Sequence, residues 1–243
     1  MPKPNRGDTT KLSIRLSREA RHVDAENNVT GLIEQAAKNL GISAAGVILF
    51  ELTRILESPP TLSEIETWKD EITLERKHFA LTVNKEVAEQ VNKLAEQYGM
   101  KKNILVGLII SKRFSENPPE NWKNTEPKKL MLQVNHELKK KMMDWCEQNY
   151  IPLNAVVSYS VLQGLPDVLP QYEAEEHETI FTNVPEYIGE IIKEKSSKYS
   201  IREHFYTSSC IYKQFMLPGG RFYKTSKDTR IEQKKGTNDG PSQ

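Results

Sequence analysis

Phe79-Ala80-Leu81-Thr82-Val83-Asn84 alternates apolar with small side chains and then stops on a residue that caps helices well. Alternation of this kind puts Phe79, Leu81 and Val83 on one face, as in a half-buried strand. From Asn84 runs a helix whose apolar stripe is Val87, Val91, Leu94 and Tyr98. Gly99 ends it. A second helix, Asn103 to Phe114, carries Ile104, Leu105, Leu108, Ile109 and Ile110, and Pro118-Pro119 halts it. The stretch reads strand, helix, turn, helix.

The same ruler recurs along the chain. Val83 to Met100, Val134 to Ile151 and Val184 to Ile201 each span 17 residues (100−83, 151−134, 201−184). Val87, Leu138 and Ile188 follow those valines by four positions, and Val91, Met142 and Ile192 by eight. Internal repetition comes before any single element in deciding an architecture. In the third copy Leu130, Leu132 and Val134 alternate. Asn135 caps a helix with Leu138, Met142, Trp145 and Cys146, and Ile151-Pro152-Leu153-Asn154 turns into a second helix from Ala155 to Leu165. In the fourth, Ile180, Thr182 and Val184 face inward, and Pro185 stands at a helix start, where its missing N–H does no harm. Ser200 to Leu217 is its second helix.

The first copy departs from the ruler. Leu12, Ile14 and Leu16 alternate within Lys11 to Ser17, and Gly41-Ile42-Ser43 makes the turn before Val47, Ile48, Phe50, Leu52 and Leu56. Leu16 to Ile42 is 26 residues (42−16), nine more than the other copies allow (26−17). An insertion near residues 18–28 that lengthens or precedes the first helix accounts for the excess. The expected organisation is unit 1 over residues 1–60, a linker over 61–77 with a short helix from Ser63 to Trp68, and unit 2 over 78–119. A linker over 120–128, unit 3 over 129–170, an acidic linker over 171–178, unit 4 over 179–220 and a disordered polar tail over 221–243 follow. The fold class is mainly α with short β-ribbons.

Composition narrows the function. A net charge of +1 over 243 residues leaves no global footprint for nucleic acid, so any binding face is local. Cys146 and Cys210 fall inside helical patterns and read as buried hydrophobes of a reduced protein. No apolar run approaches the roughly 18 residues of a membrane span, and the polar start is no signal peptide, which points to a cytoplasmic chain without a membrane partner. The five histidines share no metal-ligand spacing with each other or with the cysteines, and no phosphate loop or nucleophile elbow is present. No catalytic residue, metal or cofactor is expected, and the chain does not read as an enzyme.

A strand, a helix, a tight turn and a second helix resemble the ribbon-helix-helix superfamily, the fold of the Arc and MetJ repressors. The resemblance is clearest in Leu32-Ile33-Glu34-Gln35-Ala36-Ala37-Lys38-Asn39-Leu40-Gly41-Ile42-Ser43, which is similar to the helix-turn of CopG-like proteins. It implies that units fold as intertwined pairs, since one strand has no sheet and one helix pair cannot bury its stripe. Four units in one chain would make two pseudo-dimers, most simply 1 with 2 and 3 with 4; a crossed pairing satisfies the same pattern. It also implies binding of double-stranded DNA by ribbons in the major groove, with helix N-termini on the flanking phosphates.

The alternation then designates the outward side chains. They are Lys11, Ser13 and Arg15 in unit 1, His78, Ala80 and Thr82 in unit 2, Lys129, Met131 and Gln133 in unit 3, and Thr179 and Asn183 beside an unusual outward Phe181 in unit 4. Arg and Lys suit guanine, and Gln and Asn suit adenine. At the starts of the second helices, Ser43, Lys101, Lys102, Asn103, Asn154 and Arg202 sit where phosphates would lie, although capping alone explains Ser43, Asn103 and Asn154 equally well. Glu175, Glu176 and Glu178 repel phosphate, so the second pair would bind DNA less well or present a surface for a protein partner. The implied roles are a transcriptional regulator or an accessory factor of plasmid conjugation, acting as monomer or homodimer. A helical-repeat scaffold without DNA binding is the competing class, and it needs no paired strands.

Overall fold

A computed structural model describes residues 8–21, 31–170 and 177–223. In chain order the elements are β1 (Thr9–Ser17), α1 (Arg18–Arg21), α2 (Leu32–Leu40), α3 (Ala44–Glu57), α4 (Leu62–Glu71), β2 (Leu74–Asn84), α5 (Lys85–Gln97) and α6 (Lys102–Glu116). There follow β3 (Pro127–Asn135), α7 (His136–Asn149), α8 (Leu153–Gln163), β4 (His177–Pro185), α9 (Glu186–Lys198) and α10 (Glu203–Met216).

The strands form two separate antiparallel ribbons, β1 with β2 and β3 with β4. Each is built by distant segments and has a dyad in its register. In the first, Leu12 faces Leu81 and Ile14 faces Phe79 about a central Ser13–Ala80 pair. In the second, Leu130 faces Thr182 and Leu132 faces Ile180 about Met131–Phe181. A two-stranded ribbon is marginal alone, so helices must cover one face. Leu12, Ile14, Leu16, Leu81 and Val83 enter one buried core, and Leu132, Val134 and Val184 enter a second.

The 17-residue ruler has a backbone cause. Each first helix ends on a left-handed residue, Gly41, Gly99, Tyr150 or Ser200. The residue after it donates its N–H back to a carbonyl five positions earlier: Ile42 to Ala37, Met100 to Ala95, Ile151 to Cys146 and Ile201 to Ser196. These four turns are one capping motif, in which an apolar residue past the helix end folds back onto it. Tyr150 and Ser200 adopt the conformation without being glycine.

Several boundaries move. Unit 1's insertion precedes α2 rather than lengthening it, because Arg18–Arg21 form a separate short helix and α2 begins only at Leu32. Residues 22–30 of that insertion lie outside the described residues, as do Glu175, Glu176 and residues 224–243 of the tail. The first linker holds α4, longer than expected and fixed by a reciprocal cap between Thr61 and Glu64. The strands start earlier than alternation indicated, at Leu74, Pro127 and His177. Phe222, assigned to the polar tail, is buried, and the Arg221 side chain beside it is largely covered.

The two cores are joined through α3, which is apolar on more than one face. Val47, Ile48, Leu52 and Ile55 pack into the first core, while Phe50 packs into the second against Trp145, Tyr159 and Phe222. No single described helix is long and apolar enough to cross a membrane.

Candidate nucleic-acid interface

The register brings the designated side chains onto one face of each ribbon. In the first, Lys11 lies opposite Thr82, Ser13 opposite Ala80 and Arg15 opposite His78. Lys11, His78, Ala80 and Thr82 are exposed, and Ser13 shares a 2.8 Å hydrogen bond with His78 Nδ1. Arg15 behaves differently from the guanine reader that the alternation suggested. A register irregularity between Arg15 and Ser17 brings the start of β2 alongside, and Arg15 Nε donates to the Glu75 carbonyl at 2.8 Å. The side chain is half-buried and staples the ribbon. No local pattern announces such a contact, because it depends on how the partner strand enters.

In the second ribbon Lys129 lies opposite Asn183, Met131 opposite Phe181 and Gln133 opposite Thr179. Lys129 Nζ sits 4.3 Å from the Phe181 ring centroid. Glu178, expected to repel phosphate, is compensated: it pairs with Lys139, and with His136 Nδ1 at 2.6 Å. The Lys139 ammonium, with His136 second, holds its carboxyl below the usual carboxylate range. Lys128 in turn pairs with Glu186 at 3.2 Å.

The second helices begin in two ways. Ser43 caps α3, its hydroxyl accepting from the Gly46 N–H at 3.1 Å. The starts of α6, α8 and α10, at Lys101, Pro152 and Arg202, have no side-chain cap. Lys101, Lys102 and Arg202 are exposed beside uncapped N–H groups, whereas Asn103 is half-buried and caps nothing. Asn154 is committed elsewhere, donating its amide to the Gly41 carbonyl at 2.5 Å.

That last contact belongs to the junction between the two halves. Gly41 is favoured twice over: its φ of +65° suits glycine, and a Cβ there would lie 3.1 Å from Pro185, closer than side chains ordinarily pack. Beside it the Tyr187 hydroxyl donates to the Asn39 carbonyl at 2.6 Å, and Trp122 stacks on Tyr187 at 4.7 Å. Each half thus sets a helix turn near the other's ribbon end. The reciprocal turn, Tyr150 to Pro152, borders a cavity of about 630 Å³ along β2 that Ala45, Leu49, Thr82 and Cys146 also line. Sequence reasoning missed these junction residues, because nothing local distinguishes a Tyr or Asn that packs between units from one that packs within its own.

Burial decides the thiol chemistry. Cys146 and Cys210 are both pushed up to about 12, chiefly by loss of hydration of the thiolate. At neutral pH both stay protonated, and Cys210, which is fully buried, is expected to react with a thiol-specific reagent only at the rate of unfolding. Labelling of Cys210 in the folded chain as fast as free cysteine would contradict this. Among the described residues no group of three or more His, Cys, Asp or Glu is placed to hold a metal ion. Compared with known proteins, the chain matches no family model, no curated protein and no solved structure.

Proposed function

We propose that this chain is a sequence-specific double-stranded DNA-binding protein that sets its two ribbons into the major groove, and that it acts without catalysis. The observation that carries the reading is the paired register of distant strands about a dyad, with one face buried in helices and the opposite face carrying Lys11, His78, Thr82, Lys129, Thr179 and Asn183 exposed, side chains of the kind that suit base edges. A helical scaffold that stacks neighbouring units has no need of such ribbons. The roughly 12 Å major groove admits a two-stranded ribbon, and the outward residues then meet base edges. Lys101, Lys102 and Arg202, at uncapped helix starts, suit the flanking phosphates, where charge and free N–H groups act together. Ser43 and Asn154 are occupied in capping and in the junction, so their contribution is smaller.

On this reading the protein serves as a transcriptional regulator or as an accessory factor that marks a plasmid transfer origin. Footprinting on its own operon and on the transfer origin of its replicon separates the two. Equal binding to random DNA at moderate salt, with neither fragment protected, would remove sequence specificity from the proposal. Lys102→Ala is expected to weaken all duplexes alike and to reduce the salt slope by about one, read from binding isotherms at several salt concentrations. Loss confined to one sequence would place Lys102 on a base instead.

A further inference from the structure

Two large apolar side chains stand where a solvated ribbon face would carry polar ones. Met131 and Phe181 face each other at the dyad of the second ribbon and are 47% and 52% exposed. Apolar groups clustered on an exposed face mark a recognition surface, whereas single scattered ones do not. Lys129 Nζ lies over the Phe181 ring at 4.3 Å from its centroid, within cation–π range. Gln133 and Asn183 occupy equivalent strand positions on either side of the dyad. Their amides carry the donor and acceptor that match adenine N6 and N7. The C5-methyl of thymine is the apolar feature that distinguishes bases in the major groove, and apolar side chains are what contact it.

We infer that the second ribbon reads an A·T-rich half of the target, with Met131 and Phe181 on thymine methyls and Gln133 and Asn183 on adenines. The inference rests on the DNA-binding reading above and goes beyond it by assigning base composition to one half-site. The first ribbon presents Ser13 and Ala80 at its dyad, with Lys11 and Thr82 beside them, so the two halves of the site differ.

The full chain is used to select duplexes from a random library at moderate salt, and the selected sites should carry an A·T run on one side. Replacing thymine by uracil within that run removes only the methyls and should weaken binding about tenfold if two contacts are lost. The double variant Met131→Ala/Phe181→Ala, its folding checked by its unfolding midpoint, should bind thymine and uracil duplexes equally. If the unaltered chain binds both duplexes alike, or its selected sites hold no A·T run, the assignment is overturned while DNA binding stands. If no duplex is selected over random competitor, the DNA-binding reading fails and the assignment with it. If the double variant keeps the thymine preference but abolishes self-association of the chain, the apolar pair is a contact between copies, and the assignment is again overturned.

Discussion

Gly107→Ala is expected to destabilise the first half of the molecule by about 3 kcal/mol or more, the upper range for overpacking a well-filled core. A Cβ at this position of α6 would lie 1.7 Å from the Arg15 carbonyl oxygen and 2.8 Å from its carbon. Both are backbone atoms of β1, so no side-chain rotation relieves the overlap. The helix would have to lift from the ribbon and uncover Leu105, Val106, Ile109 and Ile110, all buried. Alanine's better helix propensity recovers only about 1 kcal/mol, which decides the sign. Gly189→Ala on α9 is the control, since a Cβ there meets nothing within 4 Å. It should gain up to about 1 kcal/mol by the same propensity argument. Urea unfolding of the two variants reads both effects, and a Gly107→Ala protein as stable as the unaltered chain would refute the close approach of α6 to β1.

Truncation after Gly220 is the second large effect, judged against a chain that ends at Tyr223. Phe222 is 4% exposed and its ring lies 4.5 Å from Trp145 and 4.8 Å from Phe215, centroid to centroid. Removing a buried phenyl costs about 3–5 kcal/mol. For a chain of this size that corresponds to a fall in melting temperature of roughly 10 °C. Arg221 adds to the strap: its guanidinium lies 3.6 Å from the Phe50 ring centroid and donates to the Phe50 carbonyl. Arg221→Ala should cost less than Phe222→Ala, because Glu51 keeps its 2.6 Å contact with Arg113. Calorimetry on chains ending at 220, 223 and 243 orders these contributions. Equal melting of all three would show that residues 221–223 do not join the halves. The same strap, with Phe50 in the second core, means that a cut near residue 120 would expose apolar surface, so the modules are best compared by substitution within the whole chain.

Much of the candidate interface is legible in the sequence. The outward set follows from period-two alternation alone, and the register places opposite strands so that Lys11, Ser13, His78, Ala80 and Thr82 share one face. The strands pair as the simpler arrangement expects, β1 with β2 and β3 with β4. Arg15, Asn154 and Glu178 were misread for a common reason. Each is a long or polar side chain whose partner lies far along the chain, in the Glu75 carbonyl, the Gly41 carbonyl and the Lys139 ammonium respectively. Charge and position give a side chain's capacity for contact, but the nearest unsatisfied group decides its use.

By itself the sequence determined the unit: where strands alternate, where Asn84 and Asn135 cap, where Gly41 and Gly99 end first helices, and where an apolar residue recurs at a constant distance past the strand. These are local effects, each settled within a few residues by sterics and hydrogen-bond satisfaction. Only the tertiary structure decided that α3 serves two cores, that Phe222 belongs to the interior and that Gly41 seats Pro185. Those outcomes depend on which apolar surfaces meet when four similar units pack together. Hydrophobic burial is non-directional, so an apolar residue's own sequence neighbourhood does not say which core it will enter.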